Sequence, residues 1–394
     1  MIVRLFFVIC FLMHANLFSA EIMKAIEFNN FDKVRSIINE NPGIINKSYK
    51  YKNFTGPPLH FSVIKKKSNI VDFLIKNGAD VNKKDNFCNT PLHYAVISND
   101  ISTLKILLSQ NVEINSKNKD YNTPLLLFRK DANYKIIESL LKNGANVNSC
   151  NGVFTPLKLS MVYFRSDIER LIKQYGGINS DDLFQSIING NSLNIPKLIE
   201  KYPDLANARW NYRKTLLHVS AEKGDINLVK YLVGKIDVDV LNNHCLTPLH
   251  LAVANANLEV VRFLLDYGAN IKLKNEEGFT VLHFLTKEIR KNMIEGQELV
   301  DLKNNYNENH LKIANLLIKK GADINALDEL GRSPIYLAVL SNQMKYVKYL
   351  LDKKADCTIT DVDGKSPLEI AKEKSFIDLY ILLEKHCSGI FAHQ

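Results

Sequence analysis

Apolar and polar residues along this chain follow a pattern that returns at a nearly fixed interval. Each cycle holds a short apolar segment, a polar break and a second apolar segment. Residues 70–75 and 258–265 are second segments from two different cycles. The second segment has the spacing of a helix that buries one stripe. A glycine or asparagine then ends it, which is typical of a helix C-terminus. The pattern predicts pairs of short helices joined by polar turns.

A Thr-Pro-Leu-His motif, complete or degenerate, opens each cycle. The threonine position is occupied by Pro57, Thr90, Thr123, Thr155, Thr215, Thr247, Thr280, Ser333 and Ser366. Most neighbouring positions are 32 or 33 residues apart. A threonine followed by proline is typical of a helix N-cap and first turn. The residues of the two complete copies that we assign to the structural motif are Thr90, Pro91, His93, Thr247, Pro248 and His250.

Two further positions recur in the same register. A small residue lies five positions after the threonine, which predicts close helix packing, at Ser62, Ala95, Ser160, Ser220, Ala252, Ala338 and Ala371. Leu285 replaces it in one cycle and indicates looser packing there. A left-handed helix end is predicted at Gly78, Gly144, Gly268 and Gly321, and at Asn111 in the third cycle.

This combination of period, motif and stop signal resembles the ankyrin repeat family, from about Glu21 to about Gly389. The resemblance implies an all-α repeat solenoid of stacked helix-turn-helix units with projecting hairpin-like turns. It also implies a protein–protein interaction scaffold that binds its partner through a concave repeat surface. A preorganised scaffold loses little entropy on binding.

The repeats divide into two predicted blocks. Residues 21–180 form the first block with an N-terminal capping repeat, and residues 181–390 form the second, with a degenerate seam at Gly176-Gly177. One continuous solenoid with a bend at the seam is the alternative. The 53-residue step from Thr280 to Ser333 carries an insertion at about 288–307. Either a binding role or a tolerated loop accounts for it.

The first twenty residues differ from the repeats. Arg4 precedes an apolar run that ends at Ser19-Ala20, which is typical of a secretory signal peptide. The sequence therefore predicts export, to a secreted or periplasmic location. An uncleaved membrane anchor is an alternative because Phe18 fits the cleavage rule poorly, and a buried N-terminal helix is another. The lysine-, asparagine- and isoleucine-rich composition resembles that of exported ankyrin proteins of AT-rich intracellular bacteria, which suggests a host-directed effector.

Five cysteines remain after residue 20: Cys88, Cys150, Cys245, Cys357 and Cys387. Stacked helices lie about 10 Å apart, whereas a disulfide needs Cα atoms within about 7 Å of each other. Only Cys357 and Cys387 fall in adjacent units. We predict free thiols throughout.

The sequence predicts no catalytic residue, cofactor or metal site. His60, His93, His218, His250 and His283 all occupy the fourth motif position, so we assign them a structural role that bridges neighbouring turns. The His-Cys pairs at 244–245 and 386–387 lack a second pair at zinc-site spacing. An enzyme or lipid-binding activity built on the insertion or the seam is the less favoured alternative.

Candidate partner contacts lie in the turns. Tyr121 and Val153 replace the turn glycine, as Cys88 and Cys245 also do, and Lys83 and Lys84 add a basic area. Sequence drift at a turn that tolerates substitution is the alternative explanation of these replacements. The net charge of +9 is spread widely over the chain. Basic turns favour an acidic partner surface or anionic lipid headgroups, and nucleic acid is disfavoured because no stacking platform or recognised motif accompanies the lysines. We expect a monomer whose membrane contact is confined to an uncleaved N-terminal segment; a tethered or periplasmic adaptor is the alternative function.

Overall fold

The structure of the protein is a computed structural model that describes residues 21–286 and 308–391. The predicted signal peptide and the insertion at 288–307 lie outside the described residues. The described chain divides into two compact units. Unit 1 comprises residues 21–182 and 201–208, and unit 2 comprises the rest. The segment 201–208, which the sequence placed in the second block, packs within unit 1.

Unit 1 is a stack of helix pairs with one β-hairpin. Its helices are α1 (21–27), α2 (Phe31–Glu40), α3 (Pro58–Ile64), α4 (Ser68–Lys76), α5 (Pro91–Ile97), α6 (Ile101–Leu108), α7 (Tyr134–Lys142), α8 (Pro156–Val162) and α9 (Ser166–Gln174). Short 3-10 helices occupy Pro42–Ile44, Pro124–Leu127 and Pro203–Asn207. The hairpin pairs β1 (Tyr49–Tyr51) with β2 (Phe54–Gly56) in antiparallel register, Lys50 opposite Thr55.

Two helices extend across the limits of the units: α10 (Ser180–Ile188) and α11 (Ile195–Lys201). The further helices of unit 2 are α12 (Leu216–Lys223), α13 (Ile226–Leu232), α14 (Pro248–Ala254), α15 (Leu258–Tyr267), α16 (Glu308–Lys319), α17 (Pro334–Leu340), α18 (Met344–Asp352), α19 (Pro367–Glu373) and α20 (Ile377–Phe391). Unit 2 also has 3-10 helices at Ser192–Asn194, Asn211–Arg213 and His283–Leu285 and a hairpin of β3 (Arg209–Trp210) with β4 (Lys214–Thr215). Within each unit, first helices contact first helices and second helices contact second helices, as α12 contacts α14 and α13 contacts α15. The all-α repeat fold is therefore confirmed.

The core of each unit lies between the helices of successive repeats. Second helices bury one stripe, as α4 does with Ile70, Val71 and Leu74. The predicted small residues of the first helices are all fully buried. At Ala252 and its equivalents the absence of a longer side chain allows neighbouring first helices to approach closely.

Two cycles depart from the predicted helix pair. The first helices after Thr123 and Thr280 are only the 3-10 helices Pro124–Leu127 and His283–Leu285. Leu285, where the sequence predicts looser packing, is fully buried. Asn111 does not adopt a left-handed conformation, whereas Gly78, Gly144, Gly268 and Gly321 do.

An Ala252→Leu substitution tests the packing of the first helices. Since Ala252 is fully buried where α14 meets α12, the extra carbons force neighbouring groups apart. We expect a loss of about 1–3 kcal/mol in the free energy of unfolding, measured by urea denaturation. Glu259→Leu adds the same side chain at an exposed position of α15 and is the control, with an expected change below about 0.5 kcal/mol. Equal stability of the two variants would contradict the packing account.

Cys357 and Cys387 form a disulfide, which corrects the prediction of free thiols throughout. Their Cα atoms are 6.0 Å apart, and both residues are buried. The helix spacing used in the prediction applies to helix axes. Cys357, however, lies in the segment that follows α18 and passes closer to α20 than a neighbouring helix axis would. Cys88, Cys150 and Cys245 are free thiols.

In the part of the chain that the structure covers, no helix combines the length and apolar character needed to cross a bilayer.

Candidate protein-binding surface

Polar side chains at the start of each projecting turn build its backbone. In the turn of residues 85–88, one carboxylate oxygen of Asp85 accepts hydrogen bonds from the N–H groups of Phe87 and Asn89, each at 2.9 Å. Asn118 forms the same pair with Asp120 and Asn122. Asn242, Asn275, Asp328 and Asp361 repeat the arrangement in unit 2. An aspartate or asparagine at this position therefore fixes the turn locally.

The third residue after this side chain takes a left-handed conformation. It is Gly278 (φ +80°), Gly331 or Gly364 in three turns, but Cys88 (φ +59°), Tyr121 (φ +59°) and Cys245 (φ +55°) in others. A Cβ on Gly278 would lie 2.8 Å from the backbone nitrogen of Glu329, so this turn requires glycine. Tyr121 accepts the same conformation at a cost in stability.

Val153 departs from the prediction. The sequence register placed it at the turn glycine, but Gly152 holds the left-handed conformation with φ +97° and Val153 does not. This turn begins at Asn151, and its glycine is the first residue after that side chain instead of the third. Counted back from the threonine that follows, the glycine lies one residue earlier than in the other turns. Val153 is therefore no replacement of a glycine, although its side chain is exposed as expected.

A Tyr121→Gly substitution tests the backbone strain. Glycine adopts φ +59° without the clash that Tyr121 carries, so we expect the free energy of unfolding to rise by about 1 kcal/mol. Val153→Gly is the matched control, because Val153 has no backbone strain to relieve. Glycine there only makes the unfolded chain more flexible, which lowers stability. Urea denaturation of both variants is the measurement. A Tyr121→Gly variant no more stable than Val153→Gly would contradict the assignment.

The predicted contact residues lie in successive turns of unit 1. Tyr121 and Val153 are 67% and 52% exposed, and Lys83 and Lys84 are exposed just before the turn of residues 85–88. Phe87, at the tip of that turn, is 64% exposed. Sequence reasoning missed Phe87, although its place between Asp85 and Cys88 would have identified it.

Adjacent turns are joined by hydrogen bonds. In unit 1 the Lys119 N–H donates to the Phe87 carbonyl at 3.0 Å. In unit 2 the equivalent bonds join Asn243 to Tyr212, Glu276 to His244, Glu329 to Glu277 and Val362 to Leu330. These bonds hold neighbouring tips in a fixed register.

The recurring histidines connect each first helix to the next turn. The Thr90 N–H donates to Nδ1 of His93 at 3.0 Å, so this nitrogen accepts and Nε2 carries the proton. Nε2 of His93 then donates to the Asn122 carbonyl at 3.1 Å. His218 and His283 make the same two contacts. Nδ1 of each ring accepts from the threonine three residues earlier, and Nε2 donates to the Leu246 carbonyl in His218 and to the Arg332 carbonyl in His283.

His60 and His250 each make only part of this arrangement. Nδ1 of His60 has no hydrogen-bond partner in the described chain because Pro57 replaces the threonine. Its Nε2 still reaches the Asn89 carbonyl at 3.1 Å. His250 binds Thr247 through Nδ1, at 3.2 Å from the backbone nitrogen.

Burial sets the charge state of these rings. It lowers the pKa of His93, His218, His250 and His283 to about 4, and it lowers the pKa of His60 as well. The rings are therefore neutral near pH 7. A neutral ring that is buried and hydrogen-bonded through one or both nitrogens inside the stack serves structure.

A ladder of asparagines joins the repeats at the segments that follow the second helices. Asn82 donates from its amide to the Asn111 carbonyl and accepts from the Glu113 N–H at 2.7 Å. Asn46, Asn115 and Asn148 do the same in unit 1, and Asp239 and Asn325 accept equivalent bonds in unit 2. Sequence reasoning missed this ladder. Its signal is an asparagine that recurs four residues after Gly78 and Gly144.

The surroundings of two reactive side chains, Cys150 and His244, can be described from the structure. Burial raises the pKa of the Cys150 thiol to about 11, which disfavours the nucleophilic thiolate. Nδ1 of His244 lies 2.6 Å from Glu276, an exposed pair at a turn. Within residues 21–286 and 308–391, no group of three or more His, Cys, Asp or Glu side chains is placed to hold a metal ion.

Comparison with known proteins gives a consistent family match. A family model described as ankyrin repeats (3 copies) matches residues 22–118, 92–182, 183–275 and 303–390. The chain is 28% identical over 173 residues to a homologue of the transient receptor potential cation channel subfamily A member 1 from Caenorhabditis elegans, covering 42% of the chain and 14% of that relative. It is 32% identical over 133 residues to the putative ankyrin repeat protein FPV228 of fowlpox virus, covering 33% and 24%.

A bacterial relative is also found. Phosphocholine transferase AnkX of Legionella pneumophila is 30% identical over 145 residues, covering 32% of the chain and 15% of that relative. The chain thus spans less than a quarter of the length of each of these three proteins. The likeness is therefore to the part of each relative that aligns, and it carries over no activity of the whole protein.

Proposed function

Because this chain belongs to the ankyrin repeat family, we propose that it is an exported scaffold that binds a protein partner through the repeat turns and first helices. Ankyrin repeats bind protein partners in general. The observation that carries the proposal is the series of exposed, hydrogen-bonded turns of unit 1, in which Phe87, Tyr121 and Val153 present apolar side chains to solvent. When a partner covers a large apolar side chain that a fixed backbone holds in solvent, the removal of its surface from water favours binding.

Export is supported by two features. The signal-like segment at residues 1–20 leads into the first helix pair. The Cys357–Cys387 disulfide is typical of proteins that reach an oxidising compartment. The partner of such a protein lies outside the cytoplasm of the producing cell, and a host protein is the partner we favour. A membrane-tethered or periplasmic adaptor of the cell's own proteins is the second candidate, favoured if the apolar N-terminal run stays attached.

The scaffold acts without catalysis and as a monomer in this proposal. The histidines at the fourth motif position are neutral and engaged in hydrogen bonds within the stack. The Cys150 thiol is buried and its pKa is raised. Recognition then depends on shape, apolar contact and charge at the turns.

The experiment combines location with partner contact. The full chain is followed in fractions of the producing cell and of any host, and its mature N-terminus is read by mass spectrometry. A chain that starts near Glu21 in an extracellular or host fraction supports export, and one that keeps Met1 in the membrane fraction supports the tethered adaptor. Cross-linking in the same fractions should join turn residues of unit 1 to a second protein. Cross-links confined to other surfaces, or none, would argue against the proposed scaffold.

A further inference from the structure

The turn tips of unit 1 are exposed and combine apolar and basic side chains. We call residues 83–88, 119–121 and 152–153 the unit 1 turn ridge. Its apolar members, Phe87, Tyr121 and Val153, come from three successive turns and are each more than half exposed. Exposed apolar side chains scattered singly need no explanation, but a row of them on neighbouring turns is typical of an interaction surface.

The ridge is held rigid by polar contacts beneath it. The Lys119 N–H donates to the Phe87 carbonyl at 3.0 Å, which joins the first two tips. At the base of the turns, the amide of Asn118 donates to Asn89 at 3.0 Å and the amide of Asn151 donates to Asn122 at 2.7 Å. A partner that binds here meets a preformed surface and orders little of this chain.

The charge of the ridge is positive. Lys83, Lys84 and Lys119 are exposed, and the acidic residues of the ridge are the exposed Asp120 and the buried Asp85. None of the three lysines lies within 4 Å of a carboxylate in the described chain, whereas Lys117 nearby is paired with Asp204 at 2.6 Å. The lysine charges of the ridge are therefore available to an acidic partner.

The later turns of unit 2 have the opposite charge. They expose Glu276, Glu277, Glu329 and Asp363 beside the apolar tips Leu330 and Val362. Their backbone is the same, with Glu329 bonded to Glu277 and Val362 to Leu330. The two sets of turns thus share geometry and differ in chemistry, so unit 2 provides an internal control for unit 1.

We propose that the unit 1 turn ridge binds a segment of a partner protein that combines acidic residues with aromatic or aliphatic ones. This inference rests on the proposed scaffold function and names its partner chemistry. Acidic side chains pair with the ridge lysines, and apolar side chains cover Phe87, Tyr121 and Val153. Single-stranded nucleic acid, which also combines negative charge with flat apolar faces, fits less well. Val153 offers no ring on which a base stacks. A phosphate backbone also carries a charge at every nucleotide and so meets Asp120 beside Tyr121, whereas a peptide can hold an apolar side chain there.

The test uses the full chain and a displayed library of random linear peptides. Recovered peptides are synthesised, and their Kd is measured by fluorescence anisotropy at low and high salt. We expect peptides enriched in Asp or Glu together with Phe, Leu, Ile or Trp, and weaker binding at high salt. The variants Lys83→Glu with Lys84→Glu, and Phe87→Ser alone, should each raise Kd by about tenfold or more. The matched control, Glu276→Lys with Glu277→Lys, should change Kd by less than about twofold.

Three results would overturn the inference. Recovered peptides that lack acidic residues would show that the partner chemistry is different. Peptides whose binding depends on Glu276 and Glu277 would show that the binding surface lies in unit 2. In both cases the scaffold function stands. Displacement of the peptides by oligo(dT), with tighter binding of oligo(dT) itself, assigns the ridge to nucleic acid. A library that yields no binder counts against a linear acidic partner. If cross-linking in the native fractions also finds no second protein, the scaffold function fails with it.

Discussion

Lowering the pH from about 7 to about 4 should strongly destabilise the folded chain. Burial lowers the pKa of His93, His218, His250 and His283 to about 4, whereas a histidine in the unfolded chain has a pKa near about 6.5. Between these values the unfolded state binds more protons than the folded state, so stability falls as the pH falls. Each ring contributes up to about 3 kcal/mol over this window.

The measurement is the urea midpoint of unfolding at several pH values. Glu27 does not explain a loss above about pH 4.5, because Lys52 lowers its pKa to about 2 and its contribution is lost only as the pH falls below its unfolded value near about 4.5. His218→Gln removes one buried ring. The urea midpoint of this variant should therefore fall less steeply with pH between pH 4 and about 6.5. His386→Gln, at an exposed position of α20, should leave the slope unchanged. A midpoint that stays constant down to pH 4 would contradict the neutral, buried assignment of the rings.

Reduction of the Cys357–Cys387 disulfide should lower the free energy of unfolding by about 3 kcal/mol. The bridge links residues 30 positions apart, and closing a loop of this length in the unfolded chain removes conformational entropy that the open chain retains. The effect should be confined to the end of unit 2 that contains α18, α19 and α20, because each repeat packs only on its neighbours.

Urea denaturation with and without a reducing agent measures the effect, and hydrogen exchange locates it. Cys357→Ser with Cys387→Ser should reproduce the reduced protein and lose its response to reductant. Cys245→Ser, at a free thiol in the same unit, is the control and should keep both stability and response. A reduced protein as stable as the oxidised one would show that the bridge does not hold the C-terminal helices.

The sequence predicted the repeat and the helix pairs because these depend on local signals. Thr247 and Pro248 mark the start of α14 since a hydroxyl cap and a fixed φ act within one turn. The same local rule failed after Thr123 and Thr280, where only 3-10 helices form. It also failed at Val153, because one shifted residue in the turn moved the left-handed position to Gly152.

The features that the sequence did not reveal depend on contacts between repeats. The asparagine ladder pairs residues about one period apart, as Asn82 pairs with Glu113, and no local preference marks such a pair. The disulfide depends on how closely the segment after α18 approaches α20, which a mean helix spacing does not give. The turn register identifies Tyr121 and Lys83 from the sequence. The opposite charge of the unit 2 turns can be compared with unit 1 only because the structure shows the same backbone hydrogen bonds in both sets of turns.

Hydrogen exchange of the full chain, with and without a bound acidic-apolar peptide from the library, shows whether the turns of unit 1 are the binding surface. We expect slower exchange in residues 83–90, 118–123 and 150–154, and unchanged exchange in the turns at 275–278, 328–331 and 361–364. Protection confined to the unit 2 turns, or to second helices such as α4 and α6, would contradict this expectation.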